Sequence, residues 1–250
     1  MNFRHRSIAA TMLLTLAFGC SKSGEGPPPP PIKAGAMGGG TPIELQPSPE
    51  PFPLGLSVSQ GSGLHLFDTP SPDQGFKKIP QESGAKRHYD EFTIAGKTHL
   101  VITEESNPPK FWFDENRNGD LTDDRTPALG EKSELIPNTY SIHIRYDGEK
   151  VIAPYRFWLF GSNMGGVRFY PVCHWHGNLT VKEKQYKVVA FDANADGDYS
   201  NDPVVIDADG NGKAGDGESL TPGKSIAING VQVTLASVSP SGLTVRFNMK

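Results

Sequence analysis

The chain has little cysteine, with two residues among 250. That excludes a fold stapled by several disulfides. It has no excess of basic charge, since 24 Lys+Arg stand against 28 Asp+Glu for a net charge of −4; no nucleic-acid partner is expected from that balance. Hydrophobic residues make up only 36%. The main uncharged apolar run, Ile8 to Gly19, is too short to span a bilayer as a helix. Outside it, no ten-residue stretch shows helical periodicity. No G-x-S-x-G, zinc-protease helix or phosphate-binding loop occurs, so the common hydrolase and nucleotide chemistries lack their sequence signatures.

The beginning of the chain reads as an export signal. Arg4, His5 and Arg6 precede the apolar run, which stops at Leu16-Ala17-Phe18-Gly19-Cys20. Residues 1–20 are therefore expected to be a lipoprotein signal peptide, with Cys20 lipidated and holding the protein to a membrane. Ser21 in place of Asp points to the outer membrane, facing the periplasm or the surface. Residues 21–53 carry Pro27 to Pro31, Gly38 to Gly40, and Pro47, Pro49, Pro51 and Pro53. This composition predicts a disordered tether, stiff where Pro clusters and flexible where Gly does.

From 54 to 250 the pattern changes to period two. Tyr140, Ile142, Ile144 and Tyr146 alternate with Ser141, His143 and Arg145, as in a half-buried strand. Ile228-Asn229-Gly230-Val231 signals a hairpin. The expected fold is mainly β: an antiparallel β-sandwich or barrel-like domain built from two hairpin-plus-acidic-loop repeats, with sub-repeats over 85–165 and 166–250. The repeat rests on Phe113 to Asp124 and Phe191 to Asp202, identical in six of twelve columns, and on similar hairpins upstream at Phe92 to His99 and Leu179 to Tyr186.

The acidic loops carry the chemistry. Thirteen of the 28 acidic residues fall in 114–124 and 192–218, and charges that dense call for a counter-cation. Asp207-x-Asp209-x-Asn211-Gly212-x5-Glu218 satisfies the EF-hand loop pattern at every defined position. Calcium takes six to eight oxygens at roughly 2.3–2.6 Å. Side chains at positions 1, 3 and 5, the Lys213 carbonyl at position 7 and Glu218 at position 12 would supply them. In the first loop Asp114, Asn116 and Asn118 fill positions 1, 3 and 5; in the second, Asp192, Asn194 and Asp196 do. The carbonyls of Asp120 and Asp198 stand at position 7. The closing carboxylate comes one residue early, at Asp124 and Asp202, a shared departure that predicts a variant geometry. No helical pattern flanks the loops, so paired EF-hands and their opening switch are not expected. The short Asp198–Asp207 interval leaves open a composite site shared by loops two and three.

On these loop motifs and on Gly223-Lys-Ser-Ile-Ala-Ile-Asn-Gly230, residues 85–250 resemble uncharacterised β-rich modules of bacterial envelope proteins and lipoproteins. The resemblance implies an exported β module with metal-type loops and no established activity. The leading expectation is a non-catalytic, calcium-stabilised lipoprotein module that binds or scaffolds at the envelope. A polysaccharide- or protein-binding surface using Trp112, Tyr155, Phe157, Trp158 and Phe160 is the alternative. A metal-dependent hydrolase at His174 and His176 is the lesser one. In the Cys173-His174-Trp175-His176 run, period two places Cys173 and Trp175 in the core and both histidines at the surface.

Overall fold

The computed structural model describes residues 40–48, 53–56, 62–64, 68–81, 84–106, 110–124, 128–129, 139–162 and 166–250. The signal peptide, Cys20 and the Pro27–Pro31 run lie outside them. The strands in chain order are β1 (Thr41–Glu44), β2 (Gln46–Pro47), β3 (Ser62–Leu64), β4 (Arg87–Ile94), β5 (Lys97–Glu104), β6 (Lys110–Phe113), β7 (Ala128–Leu129), β8 (Thr139–Tyr146), β9 (Val151–Ser162), β10 (Gly166–Pro171), β11 (His174–Val181), β12 (Lys184–Phe191), β13 (Val204–Ile206), β14 (Ser219–Leu220), β15 (Ser225–Ile228), β16 (Val231–Val238) and β17 (Thr244–Met249). Among the described residues there is no α-helix, only short 3₁₀ turns.

These strands form four antiparallel sheets, ordered β4-β5-β6-β7, β3-β10-β9-β8, β14-β13-β12-β11-β2 and β1-β17-β16-β15. None closes into a barrel. One continuous apolar core is shared by all four. The period-two reading of β8 holds, with Tyr140, Ile142, Ile144 and Tyr146 all buried. Aromatic rings lock the first two sheets together: Phe92 meets Phe169 edge-on at 4.3 Å, and Phe111 meets Phe157 edge-on at 5.4 Å. Each such ring buried stabilises the fold by about 1.5–3 kcal/mol.

The outer face of the first sheet has its own cover. Tyr89, Leu100, Ile102, Trp112 and Leu121 are capped by Phe76 and Ile79. Arg87 fastens this cover, donating Nε to Glu104 at 2.8 Å and its other nitrogens to the carbonyls of Pro80 and Gln81, both at 2.7 Å. Its guanidinium also lies over Trp112. The pair is buried, so losing Glu104 would strand the Arg87 charge, whereas Glu104 also meets Lys110 Nζ at 3.0 Å.

One sequence boundary moves. The 21–53 tether is shorter than its composition suggests, because β1 pairs with β17 and β2 with β11. Leu45 between them is buried. Pro42 and Pro47 are tolerated because β1 and β2 are edge strands, and the apolar Ile43 and Leu45 decide the outcome. Strand β10 pairs with β9 across the junction of the 85–165 and 166–250 sub-repeats.

Candidate metal centre

Each acidic loop follows a strand that aims it. Loop one (114–124) leaves β6, loop two (192–202) leaves β12, and loop three (207–218) leaves β13. Loop one is reached only after β6 has returned alongside β5, whereas loop two follows the second strand of its hairpin directly. This extra strand accounts for the unequal spacing of the two repeats.

The loops share one internal hydrogen-bond pattern. The position-1 carboxylate, Asp114, Asp192 or Asp207, accepts the N–H of Gly119, Gly197 or Gly212 at 3.0, 2.9 and 3.1 Å. Position 3, Asn116, Asn194 or Asp209, accepts the position-5 N–H at 2.9, 3.0 and 3.0 Å. Position 5, Asn118, Asp196 or Asn211, accepts the position-7 N–H at 2.6, 2.7 and 2.7 Å. The closing carboxylate, Asp124, Asp202 or Glu218, accepts the N–H of Glu115, Ala193 or Ala208 at 3.1, 3.0 and 2.8 Å. Backbone torsions agree as well. Position 4 has φ of 61°, 64° and 76°, and position 6 has φ of 81°, 73° and 77°. Arg117 and Ala195 hold the left-handed position-4 conformation at a cost of about 1 kcal/mol each. The early Asp of loops one and two thus makes the backbone contact of the later Glu in loop three; a shorter side chain is matched by a shorter stretch of chain.

One carboxylate oxygen in each loop is buried and has no hydrogen-bond partner among the described residues: Asp124 Oδ2, Asp202 Oδ2 and Asp207 Oδ1. Native proteins rarely leave such atoms unpaired. Two carboxylate groups draw together closely enough to share an ion. Oxygens of Asp192, Asp196 and Asp202 lie within 4.8 Å of one another, and so do those of Asp207, Asp209 and Glu218. The two groups are made of different residues, each within its own loop. Loop one has no such trio of carboxylates because Asn116 and Asn118 occupy positions 3 and 5. At position 7 the side chains of Asp120 and Asp198 turn to neighbouring hydroxyl residues, Thr122 and Ser200. Lys213 is exposed.

Crowding shows in the acidities. Burial, then the Asp192 charge, pushes Asp202 up to about 7. Burial, then Asp114, pushes Asp124 up to about 6. Asp192 is raised by burial. Asp120 runs the other way, held down to about 2 by Lys78 and Thr122. A cation seated among the raised groups would relieve the repulsion and favour their ionised forms.

The supports of loops one and two carry no signal in the sequence. Lys77 Nζ donates to the Asn118 carbonyl at 2.7 Å, and Lys78 Nζ meets Asp120 Oδ2 at 2.6 Å. The backbone N–H of Lys77 donates to the Gly119 carbonyl at 2.8 Å. Loop two is held by neutral groups. Tyr155 donates to Asp192 at 2.5 Å, Tyr146 to the Gly197 carbonyl at 2.8 Å, and the Ala95 N–H to the Asp196 carbonyl at 2.6 Å. Nothing in the periodicity of β8 or β9 marks those tyrosines as polar partners of a loop about forty residues downstream.

The remaining sequence candidates are mostly core. His174 is buried, contrary to the surface position expected for it. Strand β11 begins at His174 rather than Cys173, and the His174 ring stacks on Phe191 of β12 with centroids 6.2 Å apart. Burial lowers His174 to about 4 and raises Cys173 to about 12. The pair is a neutral imidazole and a protonated thiol, and Cys173 is unbridged. His176 is half-buried. Tyr155, Phe157 and Trp112 are buried and Trp158 half-buried; the Phe160 side chain lies outside the described residues. Comparison with protein-family models, curated proteins and solved structures gave no match.

Proposed function

We propose that this chain is an exported lipoprotein, anchored through a lipidated Cys20, whose non-catalytic β domain holds calcium in its acidic loops. Its role is binding or scaffolding at the cell envelope, on the outer membrane, with an envelope protein or polysaccharide as partner. One observation carries the calcium assignment: each loop buries a carboxylate oxygen that no donor among the described residues satisfies, and in loops two and three it lies in a loop that gathers three carboxylates. The donor set consists of oxygens, which suits a hard cation and not the sulfur- and imidazole-preferring metals. Calcium's tolerance for irregular coordination suits loops closed at either position 11 or position 12 better than magnesium's demand for a strict octahedron.

The test is a melting curve in calcium and in EGTA. One site filled at a hundredfold excess over its Kd adds about 2.7 kcal/mol, so a midpoint roughly 5–10 °C higher in calcium is expected for a domain of this size. Coincident midpoints would overturn the assignment. The anchor is tested separately, since Cys20→Ala should move the protein from the membrane fraction to the soluble one.

A further inference from the structure

Resting on that reading, we infer that the ion of loop two is a junction pin: it fastens the β4–β5 hairpin and the β8–β9 hairpin to the C-terminal half of the domain, a task the ion of loop three does not share.

Loop two stands where three sheets meet. Its Asp192, Asp196 and Asp202 bring oxygens within 4.8 Å of one another. Asp202 is 2% exposed, yet its Oδ2 has no partner among the described residues. The same residues that would ligate the ion reach across to other sheets. Asp192, on the C-terminal side, takes the hydroxyl of Tyr155 on β9. Asp196 offers its side chain to the cluster and its carbonyl to the Ala95 amide at the β4–β5 turn. Gly197 gives its carbonyl to Tyr146 at the end of β8 and packs so tightly on Ile94 that an added Cβ would collide with it. A cation drawing the three carboxylates together therefore sets the position of the carbonyls that hold Ala95 and Tyr146. Without it, mutual repulsion of the carboxylates acts directly on those cross-sheet bonds.

Loop three is built otherwise. Residues 209–217 are exposed, and an added Cβ at Gly212 meets nothing within 4 Å. Beyond its flanking strands it is tied by the Asp207 N–H donating to the Lys187 carbonyl on β12 at 3.0 Å and by the Ala214 N–H donating to the Leu54 carbonyl at 2.8 Å. Filling it orders a peripheral turn.

Hydrogen exchange of the full-length protein, read in peptides covering 92–100 and 207–220, separates the two roles. In the wild type, calcium should slow exchange in both regions relative to EGTA, by tenfold or more at the Ala95 amide. In Asp202→Asn, calcium should no longer protect 92–100 while still protecting 207–220. Glu218→Gln should show the reverse. Because each variant is compared with itself in the two buffers, and the wild type is measured alongside, a variant that folds poorly leaves the wild-type result standing. Calcium-binding heat in the wild type with no calcium-induced protection at 92–100 would overturn the pin and leave the calcium reading intact. Absence of binding heat altogether would overturn the calcium reading, and the pin with it.

Discussion

Loops one and two share twelve positions of sequence pattern and one set of internal hydrogen bonds, yet the protein compensates their charge in different ways. Loop one is clasped by basic residues of its own chain, Lys77 and Lys78, which reach the Asn118 carbonyl and the Asp120 carboxylate. Loop two is clasped by two tyrosine hydroxyls and a backbone amide, none of which brings charge. Its three clustered carboxylates include two that are almost wholly buried. The difference teaches that a conserved local geometry does not fix a site's demand for a cation; the neighbours do. Loop one carries part of its neutralisation internally, whereas loop two depends on what it can recruit from solution.

The largest effects should come from filling the space the position-6 glycines leave open. Gly197→Ala would drive a methyl into Ile94, which is wholly buried and cannot yield, at a left-handed φ. Gly119→Ala would bring one to 2.5 Å from the Gly75 carbonyl oxygen. Each should cost about 2–4 kcal/mol. Gly212→Ala, left-handed but facing open space, should cost only about 1 kcal/mol. Denaturant midpoints of the three variants measure this directly. Equal losses in all three would mean that docking of loops one and two adds nothing beyond backbone strain.

A smaller effect separates the loops by pH. Asp202, facing Asp192, Asp196 and Asp198, is raised to about 7; Asp124, facing Asp114 and Asp123, is raised to about 6. A carboxyl with a raised folded value contributes stability that is fully present below its unfolded value of about 4. That contribution is lost as pH rises through the folded value. In EGTA the melting midpoint should therefore fall from about pH 4.5 to about pH 7.5, and Asp202→Asn should remove the upper part of the fall. Saturating calcium should flatten the profile, because the ion favours the ionised forms. A flat profile in EGTA would break the contrast between the loops.

The smallest effect should be that of Lys78→Met. The Lys78–Asp120 contact sits at the surface, where ion pairs add little, so the melting point should barely move. The Asp120 carboxyl, followed by NMR, should climb from about 2 toward the ordinary range, and calcium binding by loop two should be unchanged. A change in loop-two binding would show that the loops are not independent.

Much of the domain was legible in the sequence, and the reasons are local. Strands β15 and β16 follow directly from the Asn229-Gly230 turn, whose two residues have φ of 50° and 74°. The alternation over β8 gave its buried face because one side of that strand meets the core and the other does not. The loops were legible because their internal side-chain bonds span ten residues or fewer. What remained hidden is long-range. Ile43 and Leu45 sit in a Pro-rich stretch, and only the presence of β17 makes a strand of it. His174 is buried beside Phe191 at the start of β11, and no alternation pattern announces that β2 pairs with the same strand. The turn at Lys182-Glu183 has φ of 47° and 67° without a glycine or asparagine, so composition could not mark it. Tyr146, Tyr155, Lys77 and Lys78 reach loops that lie far from them along the chain.

The pairing of β1 with β17 has a consequence for the order in which the molecule can be assembled. Thr244 Oγ1 donates to Glu44 Oε2 across a separation of 200 residues, and the Leu45 N–H donates to the Leu243 carbonyl at 2.7 Å. A chain that emerges N-terminus first must hold Ile43 and Leu45 unseated until β17 arrives, and closing so long a loop is slow. Strand β1 is thus among the last to find its place. Until then its apolar pair is a point at which a chaperone, a protease or a second unfinished copy can intervene.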